Sequence, residues 1–310
     1  MFSDADTALE PVISWYLARN YDYLWLTAML EKCASAPAGS TLITGSSHAL
    51  NGICESRWTN AVNCSMHSQD IYYDFQCAKR AISSAEPGHF ERCFIIMGYY
   101  IAFQDLSRSA AMREWIITDV YYPVFHDARH WDRPKEKNRW AGQENIPAEI
   151  RQYCENAAKR KLEAFSTYYS PIRSRKPYFD LKGRSWEEIS EEERRALGQF
   201  RAQSHNKSFQ YKESFEENKK IYQEFIRFLY EGDVLPVVVI APFTSAYNRW
   251  VLPEMKESVL ELVDSAPEDV HYVDFNQSDI FECSDFVDTD HLSESGAEKM
   301  SRILADLFGN

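Results

Sequence analysis

The sequence lacks a long apolar run. No stretch approaches the roughly 18 consecutive apolar residues that a membrane-spanning helix needs. The first residues also lack the basic segment and the apolar segment that make up a signal peptide. We therefore expect no membrane span and a cytoplasmic location.

Basic charge is scarce as well. The chain of 310 residues has 34 lysines and arginines against 47 aspartates and glutamates, a formal net charge of −13. Proteins that hold nucleic acid by neutralising phosphates carry basic patches, so we expect no nucleic-acid partner. The same acidic excess argues against a partner made only of anionic lipid.

Cysteine and glycine patterns of cofactor sites are missing. The seven cysteines form neither a Cys-x-x-Cys pair nor a Cys/His spacing typical of zinc sites. Their odd number, and their place in apolar runs such as Cys93–Met97, indicate free buried thiols in a reducing compartment. The glycine-rich phosphate-binding patterns are also absent. We predict no metal and no cofactor.

What the chain does have is an alternation of short apolar runs and longer helical patterns, which is typical of parallel βαβ units. The predicted strands lie at 41–44, around 61–64, and at 93–97, 235–241 and 270–275. The predicted helices lie near 8–34, 69–85, 214–231, 253–265 and 294–308. These elements predict the α/β class, with a three-layer α/β/α arrangement around a parallel five-stranded sheet. Ligands bind at the carboxyl ends of such strands.

Residues 126–213 break this pattern. They are rich in charge, aromatic residues and prolines, and they are too many for a simple connection between strands. Ser190 and Glu193 have the spacing of a helix capping box. We predict an α/β domain from residues 1–125 and 214–310, and a helical insertion from 126–213. This insertion is either a lid over the site or a solvated decoration.

A first candidate motif follows the first strand, where the chain reads Gly45-Ser46-Ser47. A glycine before small hydroxyl residues allows a sharp turn that exposes Ser47 at the end of the strand. A helix beginning there would direct its amides at a developing oxyanion. Ser47 is thus a candidate nucleophile, although the same residues also occur in ordinary loops. His48 would contact substrate or be a half-exposed histidine at the helix start, and Asn51 would fix the loop.

A second motif precedes the last helix. Asp288 and His291 lie three residues apart, so the carboxylate could hold one imidazole nitrogen while the other takes a proton from Ser47. Asp290 competes for the first role, but the spacing favours Asp288. The alternatives are plain surface polarity and a metal hydrolase that uses Asp288, Asp290 and His291.

Together the two motifs resemble those of the SGNH/GDSL hydrolase superfamily. Gly45-Ser46-Ser47 is similar to its Gly-Asp-Ser motif, with serine in place of aspartate. The run from Asp288 to Leu292 is similar to its Asp-x-x-His-Leu motif, and Gly296 matches a glycine common just downstream. The resemblance covers the sheet and both ends of the chain, but not 126–213. It implies a flavodoxin-like sheet, with Ser47 as nucleophile and Asp288 and His291 as its activating pair.

The chain departs from this family at the oxyanion hole. The family usually has a glycine after the second strand and an asparagine after the third. Here the second strand is followed by a run without glycine, and Tyr100 stands where the asparagine is expected. The candidate replacement donors are backbone amides near Ser65 or His67, the Ser47 amide and the Tyr100 hydroxyl. Loss of one such donor typically costs about 100- to 1000-fold in rate.

Thr244 and Tyr247 follow the fourth strand at the ligand-bearing edge. They would line the pocket or be plain loop residues.

The resemblance implies a serine esterase or O-acyltransferase that works through an acyl-serine. It also implies a small-molecule or carbohydrate substrate, such as an acylated sugar or a cell-surface polysaccharide. The alternative is a catalytically weak domain that binds a glycan or a partner protein, which the missing oxyanion donors favour. The oligomeric state does not follow from the sequence.

Overall fold

The computed structural model describes residues 4–164 and 177–309. These residues divide into two compact units. One contains residues 4–32 and 106–164, and the other contains residues 33–105 and 177–309.

The second unit is built on a five-stranded sheet. Its strands are β1 Ser40–Gly45, β2 Ala61–Asn63, β3 Phe90–Met97, β4 Leu235–Ile240 and β5 His271–Asp274. All pairs are parallel and the order is β2-β1-β3-β4-β5. The predicted α/β class and parallel five-stranded sheet are confirmed, and this order is that of a flavodoxin-like doubly wound sheet.

In chain order the α-helices of the described residues are α1 Asp4–Arg19, α2 Tyr21–Ala34, α3 Ser47–Gly52, α4 Ile71–Ser84, α5 Ala110–Met112, α6 Tyr122–Phe125, α7 Ala148–Ala164, α8 Glu191–Asn206, α9 Lys212–Glu231, α10 Ser245–Asn248, α11 Pro253–Asp264 and α12 Glu294–Phe308. A π-helical stretch, Arg113–Tyr121, joins α5 to α6. Short 3-10 turns lie at Glu55–Arg57, Tyr99–Phe103, Leu106–Arg108, Lys207–Gln210, Phe275–Gln277 and Cys283–Asp285. None of the described helices is long and apolar enough to cross a membrane.

The central strands are buried because they are continuous apolar runs. Leu42 and Ile43 in β1, and the run from Val237 to Ile240 in β4, have no exposed surface. Strands buried on both faces need helices on both faces, and such helices flank this sheet. Phe75 of α4 stacks on Phe225 of α9 with ring centroids 5.2 Å apart.

The first unit is helical. Helices α1 and α7 pack against each other, and Lys161 pairs with Glu10 between them. The ring of Trp140 stacks on Tyr16 at 4.6 Å, while its indole nitrogen donates to Glu155 at 2.7 Å.

The predicted helix 8–34 is wrong in one respect, because two helices occupy this range and separate at Asn20. The Asn20 side-chain amide donates to the Tyr16 carbonyl at 3.0 Å. A side chain that competes for a backbone carbonyl in this way favours a break in the helix.

The segment predicted as an insertion does not correspond to either unit. Residues 126–164 belong to the helical unit together with the N-terminal helix pair, whereas 177–213 belong to the unit that contains the sheet. The remaining residues, 165–176, lie outside the described part of the chain. The predicted capping box is confirmed: the Glu193 amide donates to Ser190 Oγ at 3.1 Å, and Glu193 accepts from the Ser190 amide at 3.0 Å.

Gly45 ends β1 under a tight steric constraint. Its φ is +141°, and a Cβ at this position would lie 2.2 Å from the carbonyl oxygen of Ile96 in β3. Only glycine allows this approach of the two strands, and it sets the direction in which the chain leaves the sheet.

We expect Gly45→Ala to lower the free energy of unfolding by about 3 kcal/mol or more, since steric overlap and backbone strain add. Gly88→Ala is the matched control, because Gly88 also has a positive φ of 78° but no atom within 4 Å of an added Cβ. The control should lose only about 1–2 kcal/mol. Urea unfolding followed by circular dichroism measures both, and equal losses would contradict the packing argument.

Candidate active site

Ser47 is presented at the carboxyl edge of the sheet. The chain leaves β1 at Gly45, Ser46 is extended at the N-cap position, and Ser47 begins α3. Ser46 and the rest of α3 are buried, whereas Ser47 keeps partial exposure. The turn therefore brings one hydroxyl to the surface from an otherwise buried segment.

The structure brings Ser47, His291 and Asp288 together. Ser47 Oγ lies 2.9 Å from His291 Nε2, across 244 positions of sequence. His291 Nδ1 lies 3.1 Å from Asp288 Oδ2 and 3.2 Å from Oδ1. Because a carboxylate only accepts, Nδ1 carries the proton that it donates to Asp288, and Nε2 is left to accept from the Ser47 hydroxyl.

The Asp288 carboxylate is fully buried and is held by backbone amides. Its Oδ1 accepts from the amides of Asp290 and His291, both at 2.9 Å. Its Oδ2 accepts from the amide of Tyr178 at 2.7 Å. These donors replace water around the carboxylate and fix its orientation toward the imidazole.

Surrounding charges also act on His291. Burial disfavours its protonated form, but the negative charges of Asp288 and Asp290 outweigh this and raise the pKa of His291 above its usual value. A base of this kind stabilises the imidazolium that forms when it accepts a proton.

Asp290 is engaged by a residue that the sequence analysis missed. Arg201 of α8 donates through Nε to both Asp290 oxygens, at 3.1 and 3.0 Å, and its Nη2 lies 3.0 Å from Oδ2. Thr289 Oγ1 donates to Asp290 Oδ1 at 2.6 Å. Burial raises the pKa of Asp290, yet the charges of His291 and Arg201 prevail and hold it well below its usual range. The sequence does contain a signal for Arg201: Asp290 is a second carboxylate in the motif, and a buried carboxylate needs a cationic partner.

His48 occupies neither of the two predicted environments. It is 3% exposed, so it is not a half-exposed histidine at a helix start, and it is not open to substrate. Its ring lies parallel to that of His291 with centroids 5.1 Å apart. Its Nδ1 is 3.0 Å from Ser46 Oγ, and its Nε2 is 3.5 Å from Asp290 Oδ2. Burial lowers the pKa of His48, which keeps the ring neutral.

Two of the predicted oxyanion donors are engaged elsewhere. The Ser65 amide donates to Asn63 Oδ1 at 3.0 Å. The Tyr100 hydroxyl bonds to Ser46, while its ring stacks on His205 at 3.7 Å. His67 is half-buried. The Ser47 amide lies in the first turn of α3, where backbone N–H groups have no acceptor within the helix.

The other predicted residues are buried. Asn51 lies inside α3 at 1% exposure, and Tyr247 is equally inaccessible, with its hydroxyl 2.8 Å from His205 Nδ1. Tyr247 therefore does not present a surface to a pocket. Thr244 lines a cavity of about 760 Å³, but Ser47 is not among the residues that line this cavity.

Thr244 supports the turn that carries Asp288 and His291. Its amide and its Oγ1 both donate to the Thr289 carbonyl, at 3.0 and 2.9 Å. Gly296 at the start of α12 packs just as closely, since a Cβ there would lie 2.1 Å from the Asp285 carbonyl oxygen. The turn is thus fixed from both sides.

The alternative hypothesis for the turn that carries Asp288 and His291 is a metal site. Among the described residues, His48, Asp290 and His291 have potential ligand atoms within 4.8 Å of one another. However, Asp290 already binds the Arg201 guanidinium, so a divalent ion would lie against a fixed positive charge. Asp288, the other predicted ligand, already accepts three backbone amides. The donor set does not fit a metal ion.

No family model matches this chain, and a search of curated proteins finds no match. The SGNH/GDSL resemblance therefore stays a hypothesis that rests on the two motifs.

We expect Thr244→Val to lower the free energy of unfolding by about 1–2 kcal/mol, because it removes a bond to Thr289 and the N-cap of α10. Thr244→Ser keeps the hydroxyl and should remain close to the wild type. Denaturant unfolding of the two variants makes the comparison. A valine variant as stable as the wild type would show that the hydroxyl does not support the turn.

Proposed function

We propose that this chain is a serine esterase or O-acyltransferase of the SGNH type that forms an acyl-serine at Ser47. The observation that carries the proposal is the 2.9 Å separation of Ser47 Oγ and His291 Nε2, with Asp288 on the opposite ring nitrogen. A nucleophile, a base and an orienting acid at these distances are what covalent acyl transfer requires.

In the first half-reaction, Ser47 Oγ attacks the acyl carbonyl carbon while its proton passes to His291 Nε2. Asp288 stabilises the resulting imidazolium through Nδ1. The bond from the acyl carbon to the leaving oxygen then breaks, and His291 returns the proton to that oxygen. The product of this step is the acyl-serine and a free alcohol.

In the second half-reaction, His291 takes a proton from water or from an acceptor hydroxyl, and the oxygen of that group attacks the acyl carbon of the acyl-serine. The bond from the acyl carbon to Ser47 Oγ then breaks, and His291 returns the proton to Oγ. Hydrolysis and transfer use the same residues, so this trio serves either reaction.

The oxyanion that forms in both steps needs hydrogen-bond donors. The Ser47 amide in the first turn of α3 is the proposed principal donor. Because the Ser65 amide and the Tyr100 hydroxyl have other partners, we expect a slower enzyme than one with a complete set of donors.

An acylated carbohydrate or cell-surface polysaccharide is the proposed substrate class. The basis is the resemblance of Gly45-Ser46-Ser47 to variants of the superfamily that modify such polymers. The partial exposure of Ser47, in an otherwise buried segment, is compatible with a substrate that approaches from solution.

A second candidate is a catalytically weak SGNH-like domain that binds a glycan or a partner protein. The observation that favours it is the engagement of the Ser65 amide and the Tyr100 hydroxyl away from Ser47.

A fluorophosphonate probe separates these candidates. We expect wild-type protein to be labelled, Ser47→Ala to lose the label, and peptide mass spectrometry to place the adduct on Ser47. Ser83→Ala, an exposed serine of α4, is the matched control and should label like the wild type. A wild type that is never labelled would favour the binding domain, and labelling that survives in Ser47→Ala would exclude Ser47 as the nucleophile.

The rate of labelling should rise with pH, because only the neutral imidazole can accept the Ser47 proton. The pKa of His291 is raised by Asp288 and Asp290, so the midpoint of this rise should lie above about 6.5, the usual value for histidine. The measurement is the second-order labelling rate between pH 5 and pH 9. A midpoint below the usual histidine value would contradict the proposed electrostatics.

A further inference from the structure

Next to the Ser47–His291–Asp288 trio lies a second chain of polar groups, formed by Ser46, His48 and Asp290 and called here the inner relay. Ser46 Oγ is 3.0 Å from His48 Nδ1, and His48 Nε2 is 3.5 Å from Asp290 Oδ2. The two imidazoles stack with an interplanar angle of 9°. The inner relay therefore runs alongside the candidate catalytic trio.

The hydrogens of the inner relay follow from its chemistry. Asp290 only accepts, so its contact with the neutral His48 ring favours the tautomer with the hydrogen on Nε2, although at 3.5 Å the two atoms form no hydrogen bond. His48 Nδ1 then accepts from the Ser46 hydroxyl.

The inner relay is not a second nucleophilic centre. Ser46 is 2% exposed and Tyr100 is 6% exposed, so an acyl substrate cannot reach the Ser46 oxygen. The relay instead ends at Asp290, whose Oδ1 lies 4.0 Å from His291 Nδ1. The inner relay therefore meets the candidate chemistry at two places, the stacked ring of His48 and the second carboxylate beside the His291 ring.

Two ionised carboxylates in one buried turn repel each other, and one of them would normally take up a proton. Arg201 removes this conflict, since its guanidinium binds Asp290 through both oxygens. Arg201 is itself 13% exposed in its side chain, so solvent screens this pair only weakly. Arg201 therefore balances the charge of Asp290 beside the imidazole that Asp288 also contacts.

Helix α8 brings Arg201 to this position through close packing. A Cβ on Gly198 would lie 2.3 Å from the Ala246 carbonyl oxygen, so only glycine lets α8 approach α10 this closely. One turn beyond Arg201, His205 bonds to the Tyr247 hydroxyl at 2.8 Å. The two contacts fix α8 on either side of Arg201.

We propose that Asp290, clamped by Arg201, is a positioning residue that supplies a second carboxylate to the His291 imidazolium and holds its ring in line with Ser47. The inference rests on the proposed function of the Ser47–His291 pair. It assigns a role in the same reaction to Arg201, a residue outside both sequence motifs.

Within the described part of the chain, five titratable groups face His291. Asp288 and Asp290 belong to its own turn, His48 belongs to α3, and Arg201 and His205 belong to α8. Burial lowers the pKa of His48 and of His205, so both are neutral and contribute little charge. Beyond Asp288, the charges of described residues that act on His291 are therefore those of Asp290 and Arg201.

The test is the titration of the His291 imidazole by NMR in the full chain, which needs no activity. Asp290→Asn should lower the His291 midpoint by about one pH unit or more, because a full charge is lost about 4 Å from the ring. Glu193→Gln is the matched control. It removes the carboxylate of an exposed bidentate pair with Arg184 and should leave the midpoint unchanged.

Asp290→Asn leaves the Arg201 guanidinium buried without its carboxylate, which destabilises the fold. A second variant therefore separates this loss of stability from the effect of Asp290 on His291. Asp290→Asn combined with Arg201→Met removes both charges and should recover much of the lost thermal stability. If Asp290 positions and charges the imidazole, the His291 midpoint of the double variant stays below that of the wild type. A midpoint that returns to the wild-type value would show that Asp290 only neutralises Arg201 and does not act on His291, which would overturn the inference.

Fluorophosphonate labelling of the same variants distinguishes this inference from the proposed function. A wild type that is not labelled defeats the proposed function, whereas the NMR titration still reports on Asp290. Normal labelling with an unchanged His291 midpoint in Asp290→Asn defeats the inference alone.

Discussion

The candidate site depends on the hydrogen bonds that satisfy one buried carboxylate, that of Asp288. Asp288 has no contact with solvent, so its oxygens must find every partner within the protein. Two amides of its own turn, the amide of Tyr178 and the His291 ring supply those partners. The geometry that stabilises the carboxylate therefore also aims the imidazole at Ser47.

A second constraint follows from the first. The same short turn buries Asp290, and a charge there is tolerated only if a cation is delivered to it. Arg201 meets this need from α8, a helix that lies in the segment between the two halves of the sheet sequence. Part of the segment 126–213, for which the sequence left open a lid or a solvated decoration, thereby contacts the candidate site.

The architecture of the sheet could be predicted from local sequence patterns. Runs such as Val237–Ile240 are buried on both faces, and that burial is why they are continuously apolar. The break at Asn20 could not be predicted, because α1 and α2 share one unbroken helical pattern in the sequence. What marks their separation is a single hydrogen bond from the Asn20 side chain to the Tyr16 carbonyl. The division of 126–213 between two units was also hidden, since local composition does not report which core a helix joins.

Residue types and short spacings in the sequence determined the nucleophile candidate Ser47 and the Asp288–His291 pair, because three positions within one turn place a carboxylate beside an imidazole. Tertiary structure alone decided the rest. The fold places Ser47 and His291 in contact although 244 positions of sequence separate them. It also buries His48, gives the Ser65 amide and the Tyr100 hydroxyl other partners, and places Arg201 beside Asp290. Such contacts depend on how helices pack on the sheet, and no local spacing encodes that packing.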